Sequence, residues 1–202
     1  MSGATIILAL TLAVSLIGLF SRKLIERTVL CPYLIARGSG YATLITSGFV
    51  HADVMHLLFN LITFYSFAFP LEHAIGATRF VALYFCGMLI SGIGTCIKHR
   101  DEPDYASLGA SGAILAVLFA SIVYFPRQRL IILPIPLPIP APLFALAYLA
   151  FSYYSSSRAS SGRTSSRINH DAHILGALTG LAFVALTDPQ RFRGLLLALT
   201  GR

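Results

Sequence analysis

Apolar stretches that approach the thickness of a lipid bilayer occur six times in this 202-residue chain. A helix needs about 20 mostly apolar residues to cross the hydrocarbon core. Backbone groups in lipid must be hydrogen-bonded within the segment, so these stretches are expected to be helices. The predicted spans are 4–20, 54–71, 80–97, 106–125, 130–154 and 171–187. The sequence therefore predicts an all-α membrane protein, a single domain over residues 1–202 built as a polytopic bundle of six transmembrane helices.

The overall composition supports a membrane protein. Only 11% of the residues are charged and 56% are hydrophobic, whereas soluble domains are usually nearer a quarter charged. The formal net charge of +7 would suggest nucleic acid as a partner of a soluble protein. Here the basic residues are scattered through the loops without interleaved aromatic residues, so we expect contact with anionic membrane lipids and no nucleic-acid partner.

The fifth apolar stretch contains prolines at every second position from 134 to 142. This run cannot form a regular helix, because proline lacks the amide donor and favours extended backbone before it. We expect it at the membrane interface, followed by a helix over about Pro142–Tyr154, with Pro142 in the first turn. The serine-rich segment Ser155–Ser166 is predicted to be a flexible surface loop.

Polar side chains collect at the starts of three of the predicted spans. Alternating spans place the beginnings of the second, fourth and sixth helices on one membrane face, where His56, Asn60, Ser111 and His173 all fall. Ionisable or strongly polar groups at such depth are costly and usually functional. A serine needs an adjacent base to become a nucleophile, so the pattern predicts a Ser111–His173 dyad.

Glycines accompany both members of the predicted dyad. Gly109 and Gly112 flank Ser111, while Gly176 and Gly180 follow His173 on the same helix face. Such small-xxx-small spacing allows one helix to pack closely on another. If the sixth helix packs on the fourth in this way, the imidazole can reach the serine hydroxyl.

The pair His56 and Asn60 is predicted to help bind an oxyanion. Their spacing of four places them on one helix face, and both side chains can donate a hydrogen bond. His51 lies five residues before His56 and is not expected on that face. Each polar residue alone also fits a packing or interfacial role. No third acid is evident, because Asp171 is two residues from His173 and points elsewhere on a helix.

Taken in order, these motifs resemble those of the rhomboid intramembrane serine proteases. The resemblance covers about Arg37 to Pro189 and includes the segment 46–51, the run 56–61 and the Pro-Ile-Pro run before the fifth helix. The matching positions are His51, His56, Asn60, Gly109, Ser111, Gly112, Ala172, His173, Gly176 and Gly180.

The resemblance implies a rhomboid-like six-helix bundle with a water-filled cavity. Ser111 would be the nucleophile and His173 the general base, while His56, Asn60 and the Ser111 amide would bind the oxyanion. Gly109, Gly112, Gly176, Gly180 and His51 would support the site. The substrate would be the transmembrane segment of another membrane protein, and no metal or cofactor is implied.

Two signals disagree on orientation. Nine Lys and Arg residues lie in the first, third and fifth loops against six on the other side, which predicts that the motif side is cytoplasmic. The resemblance implies the opposite: a cytoplasmic N-terminus, and a site that opens to the periplasmic face of a bacterial inner membrane. We follow the resemblance because the charge difference is small.

Two departures from the family pattern leave alternatives open. Ala42 and Thr43 stand where a Trp-Arg pair is common in loop one, and Leu115 replaces an aromatic residue one turn after the nucleophile. The alternative is a catalytically weak or inactive rhomboid-like protein that binds membrane clients. A transporter or channel using its histidines is less favoured because intramembrane carboxylates are lacking, and a zinc protease because a third ligand and a Glu base are lacking.

Overall fold

The structure, a computed structural model, describes residues 2–132, 135–160 and 169–200. Within these ranges the chain forms ten helices, one 3-10 turn and two strands. In chain order they are α1 (Gly3–Phe20), α2 (Arg22–Thr28), α3 (Pro32–Ile35), α4 (Thr43–Thr46), the 3-10 turn Ser47–Phe49, α5 (Val54–Ile75), α6 (Ala77–Lys98), α7 (Ser111–Tyr124), β1 (Arg129–Ile132), β2 (Ile135–Pro140), α8 (Ala141–Ser160), α9 (His170–Thr187) and α10 (Pro189–Thr200).

Four of the described helices are long and apolar enough to cross a membrane, namely α1, α5, α6 and α9. Helix α7 is apolar but has only 14 residues. It is buried along nearly its whole length, from Gly112 to Val123, and contacts α5, α6 and α9. The chain is therefore a helical membrane protein whose shortest apolar helix lies at the centre.

The fourth and fifth apolar stretches differ from the predicted spans. Helix α7 begins at Ser111 and not at 106, because residues 107–109 are held by loop contacts: Ser107 pairs with Leu30 through two backbone hydrogen bonds of 2.9 and 3.0 Å. The fifth helix begins at Ala141 with Pro142 in its first turn, as the proline run predicts, so it does not cover the first part of the predicted span 130–154. It continues to Ser160, so residues 155–160 are helical and not part of a loop. The rest of the predicted loop, 161–166, lies outside the described residues.

An antiparallel hairpin of β1 and β2 replaces the first part of the fifth predicted span. Alternate residues of a strand direct their N–H groups to the same edge. Prolines at every second position of β2 therefore leave the donors of the intervening residues available to β1. Leu133 and Pro134 lie outside the described residues.

Glycines bring α7 and α9 into backbone contact. A Cβ atom placed at Gly176 would come closer than 3.0 Å to the carbonyl of Gly112, and one at Gly180 would meet the carbonyl of Ala116 equally closely. Gly112 is itself pressed against Ser91 of α6. The small residues thus let α9 lie directly against the backbone of α7, as the spacing predicts, while α6 reaches α7 through the small side chain of Ser91.

A buried carboxylate fixes the N-terminal helix at the opposite end of the bundle from Ser111. Glu72 near the end of α5 accepts hydrogen bonds from the amides of Gly3 at 2.6 Å and Ala4 at 3.1 Å. A negative charge is favourable at the N-terminus of a helix, where amides lack intrahelical acceptors.

We expect Gly180→Ala to lower the thermal stability of the purified protein, because the added methyl would press on the carbonyl of Ala116. Overpacking of this kind costs about 1–3 kcal/mol, or several degrees in Tm for a chain of this size. Gly194→Ala is the matched control, since nothing lies within 4 Å of a Cβ atom there. Equal Tm values for the two variants would contradict the close approach of α7 and α9.

Candidate active site

Ser111 is the first residue of α7, and the chain that leads to it is fixed by loop contacts. The amide of Gly109 donates to the carbonyl of Ser47 at 2.9 Å. Gly109 has a φ of +109°, which side-chain-bearing residues rarely adopt. The N-cap residue Ala110 supplies no side-chain hydrogen bond, and the first amides of α7 have no intrahelical acceptor. Ser111 therefore combines a hydroxyl with free amide donors.

His173 lies in the first turn of α9 and contacts Ser111 directly. The distance between His173 Nε2 and Ser111 Oγ is 2.8 Å. The start of α9 is held by Asn169, whose side chain accepts from the amide of Ala172 at 3.0 Å and donates to Thr95 Oγ1 at 2.8 Å. The structure thus brings the two residues together by the close packing of α9 on α7.

The other ring nitrogen of His173 contacts Tyr148 of α8. Nδ1 lies 2.8 Å from the Tyr148 hydroxyl, and the two rings stack with centroids 6.3 Å apart. Sequence reasoning did not single out Tyr148. The sequence signal that could have identified Tyr148 is its position within an apolar helix, because the hydroxyl of a buried tyrosine usually has a hydrogen-bond partner.

The ring of His56 lies over Gly109, two residues before the candidate nucleophile Ser111. A Cβ atom on Gly109 would be 2.6 Å from Cε1 and 2.8 Å from Nε2 of the His56 ring. The ring of His51 packs edge-to-face against that of His56 with centroids 4.9 Å apart. The two histidines are neighbours despite their spacing of five, because His51 precedes α5 and is not on it. The helix begins after Asp53, which caps the amide of His56 at 2.8 Å.

Asn60 is buried one turn after His56. Its Nδ2 atom has no hydrogen-bond partner among the described residues. The side chain lines a cavity of about 10 Å³ together with Ala110, the residue before Ser111. An unpaired buried donor costs about 1–3 kcal/mol, and Asn60 Nδ2 is one of several such atoms among the described residues.

The remaining polar residues at the start of α9 have structural contacts. Asp171 binds Lys98 of α6 and Ser156 of α8, and so points away from Ser111, as expected. His170 is buried at 7% exposure and packs against Phe151.

His51 is a buried histidine in the loop before α5. Its Nδ1 lies 2.7 Å from Ser15 Oγ, and Ser15 in turn donates to the carbonyl of Phe49 at 2.9 Å. Burial, with a smaller contribution from His56, lowers the pKa of His51 from 6.5 to about 3. The imidazole is therefore neutral at physiological pH and joins α1 to the loop beside the site.

Across residues 2–132, 135–160 and 169–200, no group of three or more His, Cys, Asp or Glu side chains is arranged to hold a metal ion. The three cysteines are free thiols.

The chain matches the model of a known protein family. The model of the Rhomboid domain matches residues 38–189, a range that contains the candidate nucleophile, the histidines and Asn60. The chain belongs to the rhomboid family.

Relatives of this rhomboid occur in bacteria and in mitochondria. YdcA of Bacillus subtilis (strain 168), which is named as a candidate rhomboid protease, is 34% identical over 153 residues, covering 73% of this chain and 69% of YdcA. RHOMBOID-like protein 12, mitochondrial, of Arabidopsis thaliana is 31% identical over 112 residues, 46% of this chain and 33% of that protein. The presenilin-associated rhomboid-like protein, mitochondrial, of Homo sapiens is 29% identical over 142 residues, 70% of this chain and 36% of that protein. The match thus spans about two thirds of the bacterial relative and about a third of the mitochondrial ones.

We expect the stability of this rhomboid to fall as the pH drops below about 6.5, in part through His51. A folded-state pKa below the unfolded value means that the stabilisation is complete above the unfolded pKa and is lost as the pH falls towards about 3. One such group changes stability by about 1.4 kcal/mol per pH unit in that window. Tm measured at pH 7.5 and pH 5 should therefore differ less in His51→Gln than in the parent.

The matched control for this prediction is His73→Gln, which removes an exposed imidazole at the end of α5. That variant should keep the pH dependence of the parent. An unchanged difference in Tm between the two pH values in His51→Gln would contradict the role of buried, neutral His51.

Proposed function

We propose that this rhomboid is an intramembrane serine endopeptidase that cleaves transmembrane segments of membrane-protein substrates through a Ser111–His173 dyad. The observation that carries the proposal is the distance of 2.8 Å between His173 Nε2 and Ser111 Oγ. An imidazole at hydrogen-bond distance from a hydroxyl is the arrangement that turns serine into a nucleophile.

The reaction follows from this pair. Ser111 Oγ attacks the scissile carbonyl carbon while His173 Nε2 takes the hydroxyl proton. The C–N bond then breaks, and the leaving amine receives that proton from Nε2, which leaves an acyl ester on Ser111. Water attacks the ester with His173 again acting as base, the C–O bond breaks, and Ser111 recovers its proton.

Three groups beside Ser111 are suited to stabilise the oxyanion. The Ser111 amide is at the uncapped start of α7, Asn60 Nδ2 is an unpaired donor, and the His56 ring lies over Gly109. Donors that are fixed before the reaction stabilise developing charge without reorganisation, especially where water is excluded.

The length of α7 supports a reaction below the membrane surface. At 1.5 Å per residue, its 14 residues span roughly 21 Å, against about 30 Å for the hydrocarbon core. If the C-terminal end of α7 lies at one boundary, Ser111 lies roughly 9 Å inside the other. We propose a six-span topology in which α7 and α8 cross the membrane together with α1, α5, α6 and α9.

The proposed location is a bacterial plasma membrane, with the N-terminus in the cytoplasm and the site opening to the extracytoplasmic face. The similarity to a Bacillus subtilis relative supports the membrane, and the resemblance of the motifs supports the orientation. The substrates are other transmembrane proteins, and the basic loops contact membrane lipids.

A second candidate function is that of a weak or inactive rhomboid that binds membrane clients. The observation in its favour is Leu115, which offers no ring to stack on His173 at the position one turn after Ser111. Labelling with a serine-directed fluorophosphonate separates the two: a reactive serine in the parent that is lost in Ser111→Ala supports the enzyme, and an unreactive parent supports the client-binding protein.

We expect Ser111→Ala to abolish cleavage of a transmembrane reporter in proteoliposomes while the protein remains folded. His173→Ala should be about as damaging, and the double variant little worse, because the two groups act as a unit. Ser121→Ala is the matched control, since it removes a buried hydroxyl further along α7. Undiminished cleavage by Ser111→Ala would remove the proposed nucleophile.

Asn60→Ala should lower kcat by on the order of tenfold to a thousandfold, as expected for one oxyanion donor. KM should change little, because the donor acts mainly on charge that develops in the transition state. Thr63→Ala on the same helix is the control, as its hydroxyl only bonds the carbonyl of Phe59. A full-rate Asn60→Ala enzyme would assign Asn60 a packing role.

A further inference from the structure

The candidate base is held at both of its ring nitrogens. His173 Nε2 lies 2.8 Å from Ser111 Oγ, and Nδ1 lies 2.8 Å from the hydroxyl of Tyr148. Ser111 belongs to α7 and Tyr148 to α8, so the imidazole of α9 is bound between two neighbouring helices. The direction of the hydrogen bond between the Tyr148 hydroxyl and Nδ1 is therefore linked to which nitrogen of His173 carries the proton.

A neutral imidazole has one N–H group and one unprotonated nitrogen. His173 can take the proton of Ser111 only if Nε2 is the unprotonated nitrogen, so its ring proton must be on Nδ1. That N–H requires an acceptor in a site of low polarity, and the Tyr148 oxygen is at the right distance. With the opposite tautomer, Nε2–H would face the serine and could accept no proton from it.

We propose that Tyr148 is a positioning residue for His173: its hydroxyl oxygen accepts the Nδ1–H hydrogen bond and so fixes the tautomer in which Nε2 faces Ser111 as a base. The inference rests on the proposed Ser111–His173 function. Tyr148 neither gains nor loses a proton in the reaction. When His173 becomes charged, the same hydrogen bond becomes charge-assisted and stronger.

The ring of Tyr148 is itself held in place. It packs against Phe119 of α7 with centroids 6.2 Å apart and against Phe144 of α8 at 5.6 Å. The plane of Tyr148 is inclined by 28° to that of His173, in an offset stack. A side chain fixed by packing on two sides can hold its hydroxyl at a constant position with little loss of rotamer freedom.

The neighbourhood of Ser111 explains why this support comes from α8. One turn after Ser111 stands Leu115, which has neither an aromatic ring nor a hydrogen-bonding group. Leu115 is buried in the same apolar cluster that Tyr148 packs against. Tyr148 therefore supplies both a ring for stacking and an acceptor for Nδ1, neither of which α7 offers at this position.

The kinetic test is Tyr148→Phe, which keeps the ring packed between Phe119 and Phe144 and removes only the oxygen. Partners that orient a functional histidine typically cost about 10–100-fold in activity when removed. We expect kcat on a transmembrane reporter to fall by that factor while KM stays within about twofold. Tyr153→Phe, the same change at an exposed position of α8, is the control and should leave both constants unchanged.

The tautomer test does not depend on activity. In protein labelled with 15N-histidine, the His173 resonances are identified by their loss in His173→Gln. We expect the parent to show a protonated Nδ1 and an unprotonated Nε2, and Tyr148→Phe to show a mixture of the two tautomers. Tyr153→Phe should give the spectrum of the parent.

The outcomes separate this inference from the proposed function. A protonated Nε2 in the parent, a spectrum unchanged in Tyr148→Phe, or a full kcat in that variant would each overturn the role of Tyr148. If the parent cleaves no reporter and its serine is unreactive, the proposed function fails. The 15N spectra then still decide whether Tyr148 fixes the tautomer.

Discussion

The contact between α7 and α9 is one between backbones, and the geometry of the site depends on it. Gly176 and Gly180 press on the carbonyls of Gly112 and Ala116, with no side chain between the two helices. His173 precedes Gly176 by about one turn, so it lies on the face that touches α7. The imidazole therefore reaches the hydroxyl of Ser111 because the helix axes approach as closely as glycine allows. A residue larger than glycine at position 176 or 180 would therefore change the distance between His173 Nε2 and Ser111 Oγ.

Each polar group of the site is oriented by a different part of the chain. Gly109 is fixed by the carbonyl of Ser47, and the start of α9 is fixed by the hydrogen bond from Asn169 to Thr95. Polar groups at this depth are expensive unless paired, so these contacts also stabilise the fold. Asn60 Nδ2 is an exception, because it has no partner among the described residues. A donor left unpaired at such a cost fits a group that gains its partner only when substrate is bound.

Helical periodicity was sufficient to predict the pairing of Ser111 with His173, because glycines mark the contact face of each helix. The same periodicity could not predict Tyr148. Its contact depends on the rotation of α8 about its axis, which the spacing of apolar residues in this helix does not fix. The start of α7 was missed for a related reason: residues 106–110 carry no charge and are mostly small or apolar, yet the backbone of Ser107 and Gly109 bonds to loop residues and does not continue the helix. Uncharged composition does not distinguish a loop from the first turn of a helix.

Helix α8 makes two contacts with the first turn of α9, and they have different consequences. Ser156 binds Asp171, which faces away from Ser111, whereas Tyr148 binds the imidazole itself. The two positions on α8 are eight residues apart, about two turns, and so lie on one face of the helix. The orientation of His173 is therefore not independent of where α8 sits. A displacement of α8 that lengthened both contacts would leave Ser111 and the close contact between α7 and α9 in place. It would, however, remove the hydrogen bond to His173 Nδ1.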